Sequence, residues 1–370
     1  MRSEPVRPRG GLLAVHAHPD DETLATGALL ATWAASGEPV TLVTCTRGEQ
    51  GEVIGPELAH LEGDGPALAA HREGELARAL TSLGVSDHLF LDQVEPDESA
   101  ADEGRATVAY RDSGMAWAAP GIARAAAEAD LPDGALVGVP LDEAAHRLAR
   151  VLRERRPRVV VTYEPSGGYG HPDHVRAHEI TVRAIALAVR GEQNPVLDGV
   201  APDGERGPEG EQLPEGEAGE RGPELWQSVV PTAVARAARR ELADLPGVRT
   251  LLAEHPDLTL PDPQEDLPPV AKDDLADVVV VEVAPVLDAV VGALRAHATQ
   301  VQHVGTGPAG AWGVAAPSEA SGGVLGWYAL SNDVLAALPS REFYSVTPES
   351  AGPPRRFTGN DQTGPVAWTQ

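Results

Sequence analysis

The chain has 370 residues but a single cysteine, Cys45. An intramolecular disulfide framework and a multi-cysteine metal cluster are therefore excluded. Cys45 closes an apolar run and reads as a small buried hydrophobe rather than a nucleophile. Long apolar runs are missing as well. No stretch of about 18 uncharged apolar residues occurs, so no membrane span is expected. The opening MRSEPVRPRG lacks a long apolar stretch and a small-residue cleavage site, so it does not read as a secretory signal, and a cytoplasmic protein is expected. Bases are scarce: 29 Lys and Arg stand against 56 Asp and Glu, a formal net charge of −27. That balance argues against nucleic-acid binding, because phosphates would be repelled.

The acid is unevenly spread. Residues 191–224 hold ten acids, two arginines, eight glycines and five prolines, a charge of −8. Such a stretch cannot bury enough surface to offset its ordering entropy. Residues 254–274 carry −6 and residues 95–105 carry −4. The acidity thus reads as a property of solvated loops. The expected organisation is a core over residues 11–190, an acidic insertion over 191–224, a C-terminal part over 225–347 that completes the fold, and a polar tail over 348–370.

Within the core, apolar runs at Gly11–Ala17, Pro39–Thr44, His88–Leu91 and Arg158–Thr162 alternate with helical patterns at Glu22–Ser36, Ala67–Leu83, Leu141–Glu154 and Pro172–Val189. Further helices are expected over Thr232–Leu242 and Pro285–His297, and a strand over Val278–Val283. The alternation predicts an α/β fold, a Rossmann-like and mostly parallel sheet with helices on both faces, plus a smaller C-terminal α/β portion.

Two polar clusters follow two of these strands: His16-Ala-His-Pro-Asp-Asp-Glu22 and Tyr169-Gly-His-Pro-Asp-His174. In a parallel sheet the loops leaving the carboxyl ends gather on one edge, so the clusters can meet. Three N/O ligands with one open position form a catalytic zinc site, and His18, Asp21 and His174 can supply them. Asp20 then stays free as general base for a water acidified by the metal. His171 is left to stabilise an oxyanion or protonate a leaving amine. Together these describe hydrolysis of an amide or ester. The simpler alternative is that Asp20 and Asp21 cap the following helix. A lone His-Pro-Asp means little, since His255-Pro-Asp257 lies in an acidic loop with no preceding strand. His16 alternates with His18 and starts on the opposite face.

The paired motifs resemble those of the zinc-dependent N-acetylglucosaminyl de-N-acetylases, the LmbE-like family. Val43-Thr-Cys-Thr-Arg-Gly-Glu-Gln-Gly-Glu-Val-Ile-Gly55, Arg111-Asp-Ser-Gly-Met115 and Ala296-His-Ala-Thr-Gln300 resemble the branch that deacetylates N-acetylglucosaminyl-inositol in the mycothiol pathway. The resemblance implies His18, Asp21 and His174 as zinc ligands, Asp20 as base and His171 as the cation that stabilises charge. It also implies Tyr169 as a group that polarises the acetyl carbonyl or positions the substrate, and Arg72, Asp112 and Glu52 as substrate contacts. Asp173 is expected to orient a histidine. Ferrous iron suits the same ligand set. The expected partner is a small aminosugar-inositol, with no nucleic acid and no membrane; protein partners are left open. His297 and Gln300 lie near the site or simply form a polar helix end.

Two other readings stand beside this one. The sister amidase branch cleaves mycothiol S-conjugates and carries Ser-Lys after its HPDDE motif, where this chain has Thr23-Leu-Ala-Thr26. A non-catalytic metal- or sugar-binding protein would need a broken catalytic set, and the set is complete.

Overall fold

A computed structural model describes residues 8–95, 109–119, 122–125, 131–192, 222–273, 275, 278–307, 323–347 and 368–369. Strand and helix alternate first: β1 (Leu12–His16), α1 (Asp21–Ala35), β2 (Val40–Thr44), α2 (Gly65–Leu83) and β3 (Asp87–Phe90). A hairpin of β4 (Met115–Ala119) and β5 (Ile122–Ala125) precedes α3 (Leu141–Arg155), β6 (Val159–Tyr163) and α4 (Pro172–Glu192). Then come β7 (Glu224–Pro231), α5 (Thr232–Leu242), α6 (Pro246–Glu254), β8 (Ala271–Lys272), β9 (Val278–Glu282) and α7 (Leu287–Ala296). The last strands are β10 (Gln302–Thr306), β11 (Val324–Ala329), β12 (Leu335–Pro339), β13 (Arg341–Thr347) and β14 (Trp368–Thr369).

The main sheet runs β14-β9-β13-β7-β6-β1-β2-β3, with β8 beside β7. Strands β3, β2, β1, β6 and β7 are mutually parallel, whereas β13, β9 and β14 pair antiparallel. Every residue of β1, β2 and β6 is buried, as expected of strands covered on both faces. Period-two alternation divides the core. Leu12 and Ala14 share one cluster with α1, α2 and α7; Leu13 and Val15 share another with α3 and α4. This is the two-faced α/β sheet that the alternation predicts.

Some elements were not expected. The loop around Arg111–Met115 leads into the β4–β5 hairpin, and β7, α6, the β10-β11-β12 sheet and β13 have no counterpart in the sequence reading. Helix α1 is also interrupted, at Thr26 (φ −143, ψ 15). The Ala28 and Leu29 N–H groups donate to the Glu342 carboxylate of β13 at 2.7 and 2.9 Å, and the Ala25 carbonyl accepts from Ser228 of β7 at 3.3 Å. Most of the acidic insertion 191–224 and of the tail 348–370 lies outside the described residues.

The chain builds β1, β2 and β3 in one direction and then returns to lay β6 and β7 on the other side of β1. The order therefore reverses between β1 and β6, the place where open α/β sheets leave a crevice at their carboxyl ends.

Candidate active site

Two loops leave the sheet at this crevice. The loop after β1 carries His18, Asp20 and Asp21; the loop after β6 carries Tyr169, His171, Asp173 and His174. They converge on Asp21. One of its oxygens lies 3.2 Å from His18 Nδ1 and the other 3.2 Å from His174 Nε2. The Asp21 carboxylate also accepts the His18 N–H at 2.9 Å, which fixes the turn between them. The His171 ring packs against both imidazoles, with centroids 4.7 Å from His18 and 4.8 Å from His174. A nitrogen of each of these three histidines lies within 4.8 Å of the others. All four side chains are buried.

The donor set fits a divalent cation. Neither ring nitrogen of buried His174 makes a well-directed hydrogen bond, Nε2 meeting only the Asp21 carboxylate, although buried polar groups rarely go unsatisfied. Imidazole nitrogens and a carboxylate at this spacing are the usual companions of zinc and its neighbours. Asp112 and Asp173 form a second group with His18 that meets the same 4.8 Å spacing.

Around this centre the two loops and the Arg111–Met115 segment interlock. Asp173 Oδ2 sits 3.2 Å from His18 Nε2 and accepts the Ser113 N–H at 2.8 Å. Asp112 Oδ1 lies 3.6 Å from the same nitrogen and accepts the Gly114 N–H. Burial alone would push His18 down, but Asp112, Asp173 and Asp21 outweigh it and hold the imidazole well above its ordinary value. Burial likewise would raise Asp21, yet His174 and His18 hold it well below the usual carboxylate range.

His171 behaves differently. The resemblance implies a cation, but here burial, with His18 and His174 alongside, pushes its pKa well down. Its Nδ1 accepts the Asp173 N–H at 3.1 Å, which leaves the ring's single proton on Nε2. Tyr169 is half-buried, with its ring edge-on to His174 at 5.1 Å.

Asp20 stands at the head of α1 without capping it: its φ is 113° and its carboxylate bonds none of the helix N–H groups. The capping alternative thus does not hold for this residue. Arg72 Nη2 lies 3.3 Å from Asp20 Oδ2. Burial raises Asp20 to about 7, against the pull of Arg72. The Arg72 guanidinium is itself buried and donates to the Gly48 and Pro19 carbonyls, both at 2.5 Å. Glu52 is exposed, and its carbonyl accepts from Gln300 at 3.0 Å.

Three residues at the site had no assigned role in the sequence. Tyr163 stacks on His174 with centroids 4.2 Å apart and rings 10° from parallel, and its hydroxyl accepts the Ala17 N–H at 2.9 Å. The signal was its position, one residue past the VVVT run. Glu22 and His297 form a fully buried pair at 2.8 Å. Glu22 belongs to the HPDDE motif, but nothing local points to a partner 275 residues away.

Known proteins resemble this chain over most of its length. Residues 13–185 match the model of the GlcNAc-PI de-N-acetylase family, PIG-L. A Kineococcus radiotolerans protein described as 1D-myo-inositol 2-acetamido-2-deoxy-alpha-D-glucopyranoside deacetylase is 47% identical over 294 residues, covering 78% of this chain and 68% of that protein. Proteins of the same description from Streptomyces avermitilis and Thermobifida fusca are 39% and 40% identical. They cover 93% and 80% of this chain, and 94% and 85% of their own lengths. With relatives this similar across most of their length, the chain belongs to the GlcNAc-PI de-N-acetylase (PIG-L) family.

Proposed function

We propose that this protein hydrolyses the N-acetyl group of N-acetylglucosaminyl-inositol, releasing acetate and glucosaminyl-inositol. The activity named for its relatives supports the substrate, and the Asp21 bridge between His18 and His174 is the observation that carries the chemistry. His18, Asp21 and His174 hold the metal, with zinc the proposed ion and ferrous iron the alternative that the same donors accept. When bound, such an ion supplies Lewis acidity for the amide carbonyl and for water.

The protein's own side chains do the rest. Asp20, next to the ligand Asp21 yet outside the imidazole cluster, takes the proton of the attacking water. A base in this position contributes on the order of 10²–10⁴ in rate. His171 points its Nε2–H at the developing oxyanion, and Asp20 passes the proton it took from the water to the leaving amine. Tyr169 borders the acetyl carbonyl. Asp173 fixes the His18 ring, as carboxylates behind metal-bound imidazoles do. Asp112 and Glu52 face the sugar and inositol hydroxyls. Arg72 reaches the same region while steadying Asp20.

Acetate release from N-acetylglucosaminyl-inositol, with chelator and after return of zinc or ferrous iron, tests the reading. Turnover that is lost with chelator and regained with metal is expected. Protein that binds metal but releases no acetate would refute it, and preference for a mycothiol S-conjugate in a competition assay would move it to the sister branch.

A further inference from the structure

Among the described non-glycine residues, Asp20 has the largest positive φ. An aspartate heading a helix ordinarily adopts extended φ and ψ and spends its carboxylate on the free N–H groups of the first turn. Asp20 has φ 113 and ψ −34 and makes no such bond. That region is costly for any residue with a β-carbon, and persists only where the surroundings over-determine it.

The surroundings are specific. The Asp20 N–H donates to Glu22 Oε2 at 2.9 Å. The other Glu22 oxygen accepts from the Thr23 hydroxyl at 2.5 Å and faces His297 Nε2 at 2.8 Å. His297 follows α7 and is held from a third direction. Two residues on, Thr299 donates its N–H and its hydroxyl to Glu75 at 2.8 and 2.6 Å. Glu75 lies one turn along α2 from Arg72, which pairs with Asp20 itself. Contacts and two short stretches of backbone, 297–299 and 72–75, therefore close a ring: Asp20, Glu22, His297, Thr299, Glu75, Arg72 and back to Asp20.

We propose that Glu22 and His297 are positioning residues for the general base. Their pair keeps the Asp20 backbone strained, so that its carboxylate cannot relax onto the N–H groups of α1 and stays available for catalysis. The proposal rests on the reading of Asp20 as base.

A substitution cycle on the metal-loaded enzyme tests it, with His297→Phe and Asp20→Asn made singly and together and N-acetylglucosaminyl-inositol as substrate. His297→Phe is expected to lower kcat about tenfold or more, as misplacement of a reacting group does. KM and bound metal per chain should stay unchanged. His297→Gln, which keeps a donor, should recover most of the rate. In the Asp20→Asn background His297→Phe should cost nothing further, because residues acting through one group are not additive. A second readout needs neither metal nor turnover. The Asp20 amide, on a half-buried residue, should exchange with solvent about tenfold faster in His297→Phe, whereas the amides of β1 keep their rates. Should the Phe variant not fold, His297→Asn, too short to reach Glu22, carries the same expectations. Losses that multiply in the double variant, or an Asp20 amide that keeps its wild-type rate, overturn the proposal. An Asp20→Asn variant with undiminished turnover overturns the base reading instead, and the amide rates tell the two failures apart.

Discussion

A β-carbon added to Gly170 would stand 2.7 Å from the Ala123 carbonyl oxygen. The contact is fixed from both sides, since the Ala123 N–H donates to the Tyr169 carbonyl at 2.9 Å. The β4–β5 hairpin thus grips the loop that presents Tyr169 and His171. Gly170 also has φ 96, a conformation that L side chains rarely adopt. A backbone carbonyl cannot swing aside as a flexible side chain can, so in Gly170→Ala the loop must give. We predict a stability loss of about 2–4 kcal/mol from clash and backbone strain together. A fall in acetate release should accompany it even well below the melting temperature. Calorimetry and steady-state rates on one preparation check it; an unchanged melting temperature would contradict it.

The parts of the molecule legible in the sequence are those where one physical demand dominates. Strands buried on both faces, such as Leu12–His16 and Val159–Tyr163, must be apolar over most of their length, and each His-Pro-Asp cluster lies in the loop that leaves one of them. The unread parts depend on partners far along the chain. The MAWAA and IARA strands of the hairpin carry little alternation, and β7 follows directly on the acidic insertion. The break in α1 falls at Thr26-Gly27, two weak helix formers, but a single Gly within a helical pattern does not by itself predict a break, and the carboxylate that makes this one tolerable sits at residue 342. Glu22 and His297 were visible as residues but not as a pair, for the same reason.

Glu342 makes stability depend on pH. Burial raises its carboxyl from 4.5 to about 7, against the hydrogen bonds from Tyr344, Ala28 and Leu29. The folded state then holds the proton more tightly than the unfolded state between those two values. This contribution to stability therefore declines as pH rises from about 4.5 to about 7 and is flat outside that window. The side chain retains some solvent contact, so screening trims the effect to on the order of 2 kcal/mol. Glu342→Gln removes the titration and also turns an amide N–H₂ toward one of the helix N–H groups, so the variant should be less stable throughout. The gap to wild type should be widest near pH 5 and narrowest near pH 8. Urea unfolding at several pH values measures that gap, and a constant difference would exclude the role.

Metal binding should appear in stability independently of turnover. A ligand that binds only the folded chain stabilises it by about 2.7 kcal/mol at 100 times its dissociation constant. Added zinc is therefore expected to raise the melting temperature of chelator-treated protein. His174→Ala should abolish that rise, because it removes one of the two imidazoles bridged by Asp21. The same variant costs the apo protein some packing against Tyr163, so the metal-induced shift, not the absolute midpoint, is the informative quantity. A full shift in His174→Ala would remove the residue from the ligand set.

Lys272 tests how the second loop is held. It is the one base among the acidic residues 254–274, and its Nζ lies 3.1 Å from the buried Glu164 carboxylate. Glu164 in turn accepts the Ser166 and Gly168 N–H groups at 2.8 and 3.1 Å, which shapes the loop leading to Tyr169. Lys272→Met strands a buried carboxylate, a change costing about 3–5 kcal/mol in a fully enclosed pair and less here, where Lys272 is partly exposed. Replacing both charges should cost less than replacing the lysine alone, because Gln at 164 still accepts one loop N–H and carries no charge to desolvate. The expected order of melting temperatures is therefore wild type, then Lys272→Met with Glu164→Gln, then Lys272→Met alone. Acetate release should follow the same order, since the loop that carries Tyr169 and His171 loosens with its anchor. A double variant less stable than the single one would mean that Glu164 acts through its charge on the backbone N–H groups and not through Lys272.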